Sequence, residues 1–208
     1  MPTTLVAFLL ASLALLLVPG PSVLYVVARS VSQGRRAGIT SVAGGALGNL
    51  VHVGAATVGL SALLASSALA FSVVKYAGAA YLIYLGVRTL LSDAPVDPIL
   101  AAPQPPRRVF AQATLVYALN PKTALFFLAF LPQFADPARG AIGPQLFFLG
   151  CLFVLLALCT DSGYALLAGG LAQRLRATAR LWRWQRWFSG GIYLLLGVTT
   201  ALSGAERT

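Results

Sequence analysis

The chain has 208 residues, 58% of them hydrophobic and only 10% charged, and its mean hydropathy is strongly positive. A water-soluble domain carries about a quarter of its residues as charges, so this composition excludes a soluble globular protein. The formal net charge of +10 sits between apolar runs and marks topology, which excludes nucleic acid as a partner.

Crossing a bilayer takes about 20 residues of helix, and apolar runs of that order occur at 4–28, 38–64, 68–91, 109–133, 143–169 and 186–204. They predict an all-α membrane protein with six transmembrane helices. The first run resembles a signal peptide in length, but no basic residue precedes it and no convincing small-residue cleavage pattern follows. It is expected to stay as the first span. Within it, "VPGPSVLY" (Val18 to Tyr25) places two prolines and a glycine where an uninterrupted helix would run, which predicts a break.

The second run carries Asn49 and His52 among Gly44, Gly45, Gly48, Gly54 and Gly59. The Gly44–Gly48 spacing fits close helix packing. His52 is open to two readings, a group titrating near neutral pH or one hydrogen bond between helices, and Asn49 shares that ambiguity. The third run closes on "GAAYLIYLGVRTLLS" (Gly78 to Ser92), and the proline-rich segment 92–108 after it reads as a cytoplasmic linker.

The fourth run contains "LNPKTALFFLAFLP" (Leu119 to Pro132), with Lys122 near its middle and Asn120 and Pro121 just before it. The fifth contains Cys151 and Cys159, about 12 Å apart along a helix and so beyond disulfide reach, and then Asp161. One charge at the centre of a spanning helix costs roughly 2.5–3.5 kcal/mol. Lys122 and Asp161 must therefore face a wet cavity, a partner or each other. Their bland reading is a buried pair that fixes packing; the functional reading gives Lys122 to a substrate carboxylate and Asp161 to a proton or an amine. Segment 171–188, with five arginines and three tryptophans, reads as an amphipathic helix lying in the lipid headgroups.

Two internal matches suggest a repeat. "GAAYLIYLGVRTLLS" resembles "GGIYLLLGVTTALS" (Gly190 to Ser203), and the breaks match with Pro21 and Pro121 100 residues apart. Halves of three spans each, 1–91 and 109–208, must insert in opposite orientations. Of the basic residues, eleven fall in or beside the loops after spans one, three and five: Arg29, Arg35, Arg36, Arg88, Arg107, Arg108, Arg174, Arg176, Arg180, Arg183 and Arg186. The excess puts those loops in the cytoplasm and both termini outside. Inverted repeats with broken helices at matching positions are the pattern of secondary transporters, with the site at the breaks, because unwound backbone survives in lipid only where protein, cargo or water satisfies it.

"VPGPSVLYV", "GAAYLIYLGVRTLL", "LNPKTALFFLAFLPQF" and the "YALLA" that follows Asp161 fall in the order seen in a known family. The chain resembles the lysine-exporter (LysE/RhtB-type) translocators over nearly all of residues 1 to 204. The resemblance implies proton-driven export of amino acids or related metabolites across a bacterial cytoplasmic membrane. It implies site positions at Pro19, Gly20, Pro21, Asn120, Pro121 and Lys122, with Asp161 as the acidic residue of the fifth span.

The expectation is an antiporter that alternates access, with Lys122 and nearby backbone N–H groups for the substrate and Asp161 for proton coupling; His52 and Asn49 are further candidates. Protons, lipid and a second copy of the chain are the other expected partners. No phosphate loop, nucleophile set or metal-ligand cluster is legible, so no enzyme activity, cofactor or metal is expected. A relative class, the membrane thiol relays, needs cysteines in spans one and four, which are absent here. A gated metabolite or osmolyte channel, and a subunit of a membrane assembly without transport, are the alternative readings.

Overall fold

The computed structural model describes residues 2–60 and 104–170, with single positions between 73 and 91 and at 194 and 198. The expected spans at 68–91 and 186–204 lie outside the described residues apart from those positions. Most of the 92–108 linker and all of segment 171–188 lie outside them as well. Among the described residues the regular structure is wholly helical.

Six α-helices are described: α1 (Pro2–Leu17), α2 (Pro21–Gln33), α3 (Arg35–Ala55), α4 (Pro106–Ala118), α5 (Pro121–Leu125) and α6 (Ile142–Gly170). α3 continues as a π-helical turn, Ala56–Leu60. α5 continues as a π-helical turn, Phe126–Phe130, and a 3₁₀ turn, Leu131–Phe134. Among the described residues two helices, Arg35–Gly59 and Ile142–Gly170, are each long and apolar enough to cross a membrane alone, and the count rises to four if each of two bent pairs forms one span.

Those bent pairs are the two breaks expected from the prolines: Thr4–Leu17 with Pro21–Gln33 at 53°, and Pro106–Ala118 with Pro121–Phe134 at 42°. At each break a proline opens the second helix, where its fixed φ suits the first turn and its missing N–H goes unneeded. The same device starts α4 at Pro106, three residues earlier than the apolar run suggested. α2 runs on to Gln33 and stops at Gly34, whose φ of 85° favours glycine.

α3 is the central element, packed against α4, α6 and α2. Its backbone comes close to that of α4. A methyl group at Gly44 would lie 2.3 Å from the Phe110 carbonyl oxygen, and one at Gly48 would lie 2.6 Å from that of Thr114. Only hydrogen at these positions lets the backbones meet, and Thr114 Oγ1 then donates to the Gly44 carbonyl at 3.0 Å. The Gly44–Gly48 spacing is therefore a packing seam. The apolar core lies against the other end of α3, where Phe126, Phe127 and Phe153 are buried and their rings meet at 5.1–6.2 Å.

Arg29, counted with the basic residues in or beside the loops, is part of a helix. It lies within α2 and is buried, donating to Gln104 at 3.2 Å and Gln112 at 2.9 Å with its guanidinium over the Tyr25 ring. Composition alone counted its charge; these acceptors give it a place inside the fold. Cys151 and Cys159 are free thiols, as their spacing required.

Candidate functional site

The first break deprives backbone carbonyls at the end of α1 of their usual helical donors, since Pro19 and Pro21 supply no N–H, and the Leu15 carbonyl accepts from the Val18 N–H at 3.2 Å instead. Side chains from beyond the linker take up these carbonyls. Lys122 Nζ donates to the Leu15 carbonyl at 2.7 Å and the Val18 carbonyl at 2.5 Å, and the Tyr164 hydroxyl donates to the Leu17 carbonyl at 2.9 Å. A cation at a helix C-terminus also meets the negative end of the helix dipole.

The second break is built by Asn120. Its side-chain oxygen accepts from the Lys122 backbone N–H at 3.0 Å, capping α5, while its Nδ2 donates to Ser22 Oγ at 2.7 Å. Ser22 is the second residue of α2, so one hydrogen bond ties the two breaks together. At the end of α4, His52 Nε2 lies 3.0 Å from the Tyr117 carbonyl; a carbonyl only accepts, so this nitrogen carries the proton.

Between the breaks is a cavity of about 20 Å³, lined among others by Gly20, Ser22, Asn49, Asn120, Lys122 and Asp161. Space of that order holds about one water molecule. Lys122 and Asp161 are only 6% and 3% exposed, and their charges attract across this space. Asp161 Oδ2 accepts from the Tyr117 hydroxyl at 2.8 Å. Its Oδ1, and the Oδ1 of Asn49, are buried without a hydrogen-bond partner among the described residues.

The structure thus brings Gly20, Asn120, Lys122, Asn49 and Asp161 to one cavity. Pro21 and Pro121 are exposed at their helix starts and shape the breaks from outside it. His52 does not line the cavity; it packs 6.0 Å from the Phe127 ring and holds the Tyr117 carbonyl, the helix–helix hydrogen bond of its two readings. Ser22, Tyr117 and Tyr164 were not singled out by sequence. Ser22 directly follows the "PGP" break, and Tyr164 lies one turn past Asp161, which are the signals that could have found them.

The LysE type translocator family model matches residues 13–204. A homoserine/homoserine lactone efflux protein of Salmonella typhimurium (strain LT2) is 33% identical over 196 residues, covering 94% of each chain. The protein of that name in Salmonella typhi is similar to the same extent. An uncharacterized membrane protein of Vibrio cholerae is 30% identical over 200 residues, covering 96% of this chain and 97% of the relative. No solved structure matches the chain.

Proposed function

The chain belongs to the LysE type translocator family, and from that premise we propose that it is a secondary transporter exporting small amino acids or related metabolites. The proposed transport runs out of the cytoplasm, by proton antiport with alternating access. The observation that carries this reading is the Asn120–Ser22 hydrogen bond, which joins two broken helices around a cavity holding a lysine and an aspartate. Broken helices meeting at a charged cavity give a membrane protein what a cargo site needs: polar backbone at membrane depth, kept out of lipid.

In this reading residues 1–91 and 109–208 are inverted three-helix halves, joined by the 92–108 linker in a bacterial cytoplasmic membrane, with both termini outside. The halves rock about the breaks. Pro19, Gly20, Pro21, Asn120 and Pro121 hold the unwound turns. Lys122 exchanges the Leu15 and Val18 carbonyls for the oxygen-bearing end of the cargo when the halves part. Asp161 binds and releases the coupling proton, with the Tyr117 hydroxyl orienting its carboxylate. The names of the Salmonella relatives make homoserine and its lactone the first cargoes to test. A cavity of about 20 Å³ is too small for either, so the described arrangement is a closed one in this cycle.

The deciding experiment is uptake of labelled homoserine into inverted vesicles carrying the chain. Accumulation above the outside concentration, driven by an acidic vesicle interior, is the expected result. Movement that only equalises the two sides would make the protein a gated channel, and no movement of any amino acid would leave an assembly role.

A further inference from the structure

We propose that two oxygens without a hydrogen-bond partner among the described residues, Asn49 Oδ1 and Asp161 Oδ1, form an ammonium subsite, so that a primary amine is the feature of the cargo the protein selects. The inference rests on the exporter reading and narrows its substrate class. An amide oxygen and an ionised carboxylate oxygen both accept hydrogen bonds, each is buried, and both residues line the same small cavity, one from α3 and the other from α6. Burying such an acceptor unpaired is costly, and burying a carboxylate with half its oxygens unpaired is costlier still. What answers both atoms is a group with several donors and a positive charge.

The Lys122 charge attracts Asp161 through space, but its ammonium donates to the Leu15 and Val18 carbonyls and makes no hydrogen bond to either oxygen. The Tyr117 hydroxyl serves Asp161 through the other carboxylate oxygen. A primary ammonium has three donors and about the bulk of a water molecule, which matches a cavity of about 20 Å³. The rest of the cargo then extends from this point into space that opens as the breaks separate. Asn49 becomes a specificity-determining residue, and a carboxylate on the cargo becomes dispensable.

The test is efflux from liposomes containing the purified full chain, loaded in turn with labelled homoserine, homoserine lactone or N-acetylhomoserine. The first two share a free amine, and the third keeps the carboxylate but loses the amine's charge. Homoserine and its lactone are expected to leave at rates within about threefold of each other. N-acetylhomoserine is expected to leave at least about tenfold more slowly, the effect of one lost hydrogen bond to a charged group. Asn49→Ala, checked for folding by size-exclusion profile, is expected to raise the half-saturating homoserine concentration about tenfold on the same basis.

Efflux of N-acetylhomoserine at the rate of homoserine would overturn the subsite while leaving the exporter reading intact; the two oxygens would then hold only water. Movement of homoserine but not of the lactone would likewise overturn it, by making the carboxylate the selected group. If none of the three probes moves, the exporter reading fails and the subsite falls with it. The analogue series needs no variant, so a poorly folding Asn49→Ala leaves the test decisive.

Discussion

Lys122 shows how a single costly residue serves two needs. Its charge costs roughly 2.5–3.5 kcal/mol at membrane depth; of the two carbonyls it meets, that of Leu15 also accepts from the Val18 N–H, while that of Val18 would cost roughly 1–3 kcal/mol if left unpaired. Lys122→Met removes both the charge and its partners' donor, so the terms largely cancel. That variant is expected to stay within about 2 kcal/mol of the parent in stability, measured by thermal unfolding in detergent, yet to lose most of its efflux. Wholesale unfolding with no transport-specific loss would make the lysine a packing residue instead. Asp161→Asn keeps the size of the side chain and removes the exchangeable proton. Homoserine efflux driven uphill by a pH gradient is expected to vanish in this variant, while downhill exchange persists at a raised half-saturating concentration because the cargo's ammonium loses a charged partner. Uphill efflux in the variant would take proton coupling away from Asp161.

At the level of elements, the breaks and the α3 seam are where sequence spoke most clearly. A proline in the interior of a helix removes a backbone hydrogen bond and breaks or kinks it, so "VPGP" and "LNPK" announced bends before any packing was known. Gly44 and Gly48 likewise announced a close crossing, because four-residue spacing puts both on one face. The partner on the other side of that seam was not legible, since Phe110 and Thr114 are touched through backbone carbonyls that every residue has. Ser22 and Tyr164 were missed for a related reason: each answers a group created by a break elsewhere in the chain. The burial of Arg29 was not legible, because charge counting has no information about Gln104 and Gln112. Gly48→Leu tests the seam. Its side chain must displace the Thr114 carbonyl and Tyr117, and overpacking of this kind typically costs about 1–3 kcal/mol. A lowered midpoint of thermal unfolding is expected, whereas an unchanged midpoint would mean the α3–α4 crossing is looser than the backbone approach implies.

For the whole molecule, the question is whether the hydrogen bonds across the breaks hold one state of a cycle or a permanent structure. Asn120 to Ser22, Lys122 to Leu15 and Val18, and Tyr164 to Leu17 all join the first break to residues beyond the linker. Net hydrogen-bond contributions are about 0.5–1.5 kcal/mol each, more where a charge takes part. Such ties suit a closed state that cargo and protons can open: together they hold one arrangement, and each is weak enough to be exchanged for a cargo contact. Alternating access requires that they part on every turnover. Ser22→Cys combined with Asn120→Cys, with Cys151 and Cys159 replaced by serine, puts a thiol on each side of the contact where Ser22 Oγ and Asn120 Nδ2 now lie 2.7 Å apart. Bridging them with mercuric ion is expected to stop homoserine efflux, and removing the metal with excess thiol is expected to restore it. Full efflux through the bridged protein would mean that the breaks stay together while cargo passes, and the rocking of one half against the other would have to be abandoned.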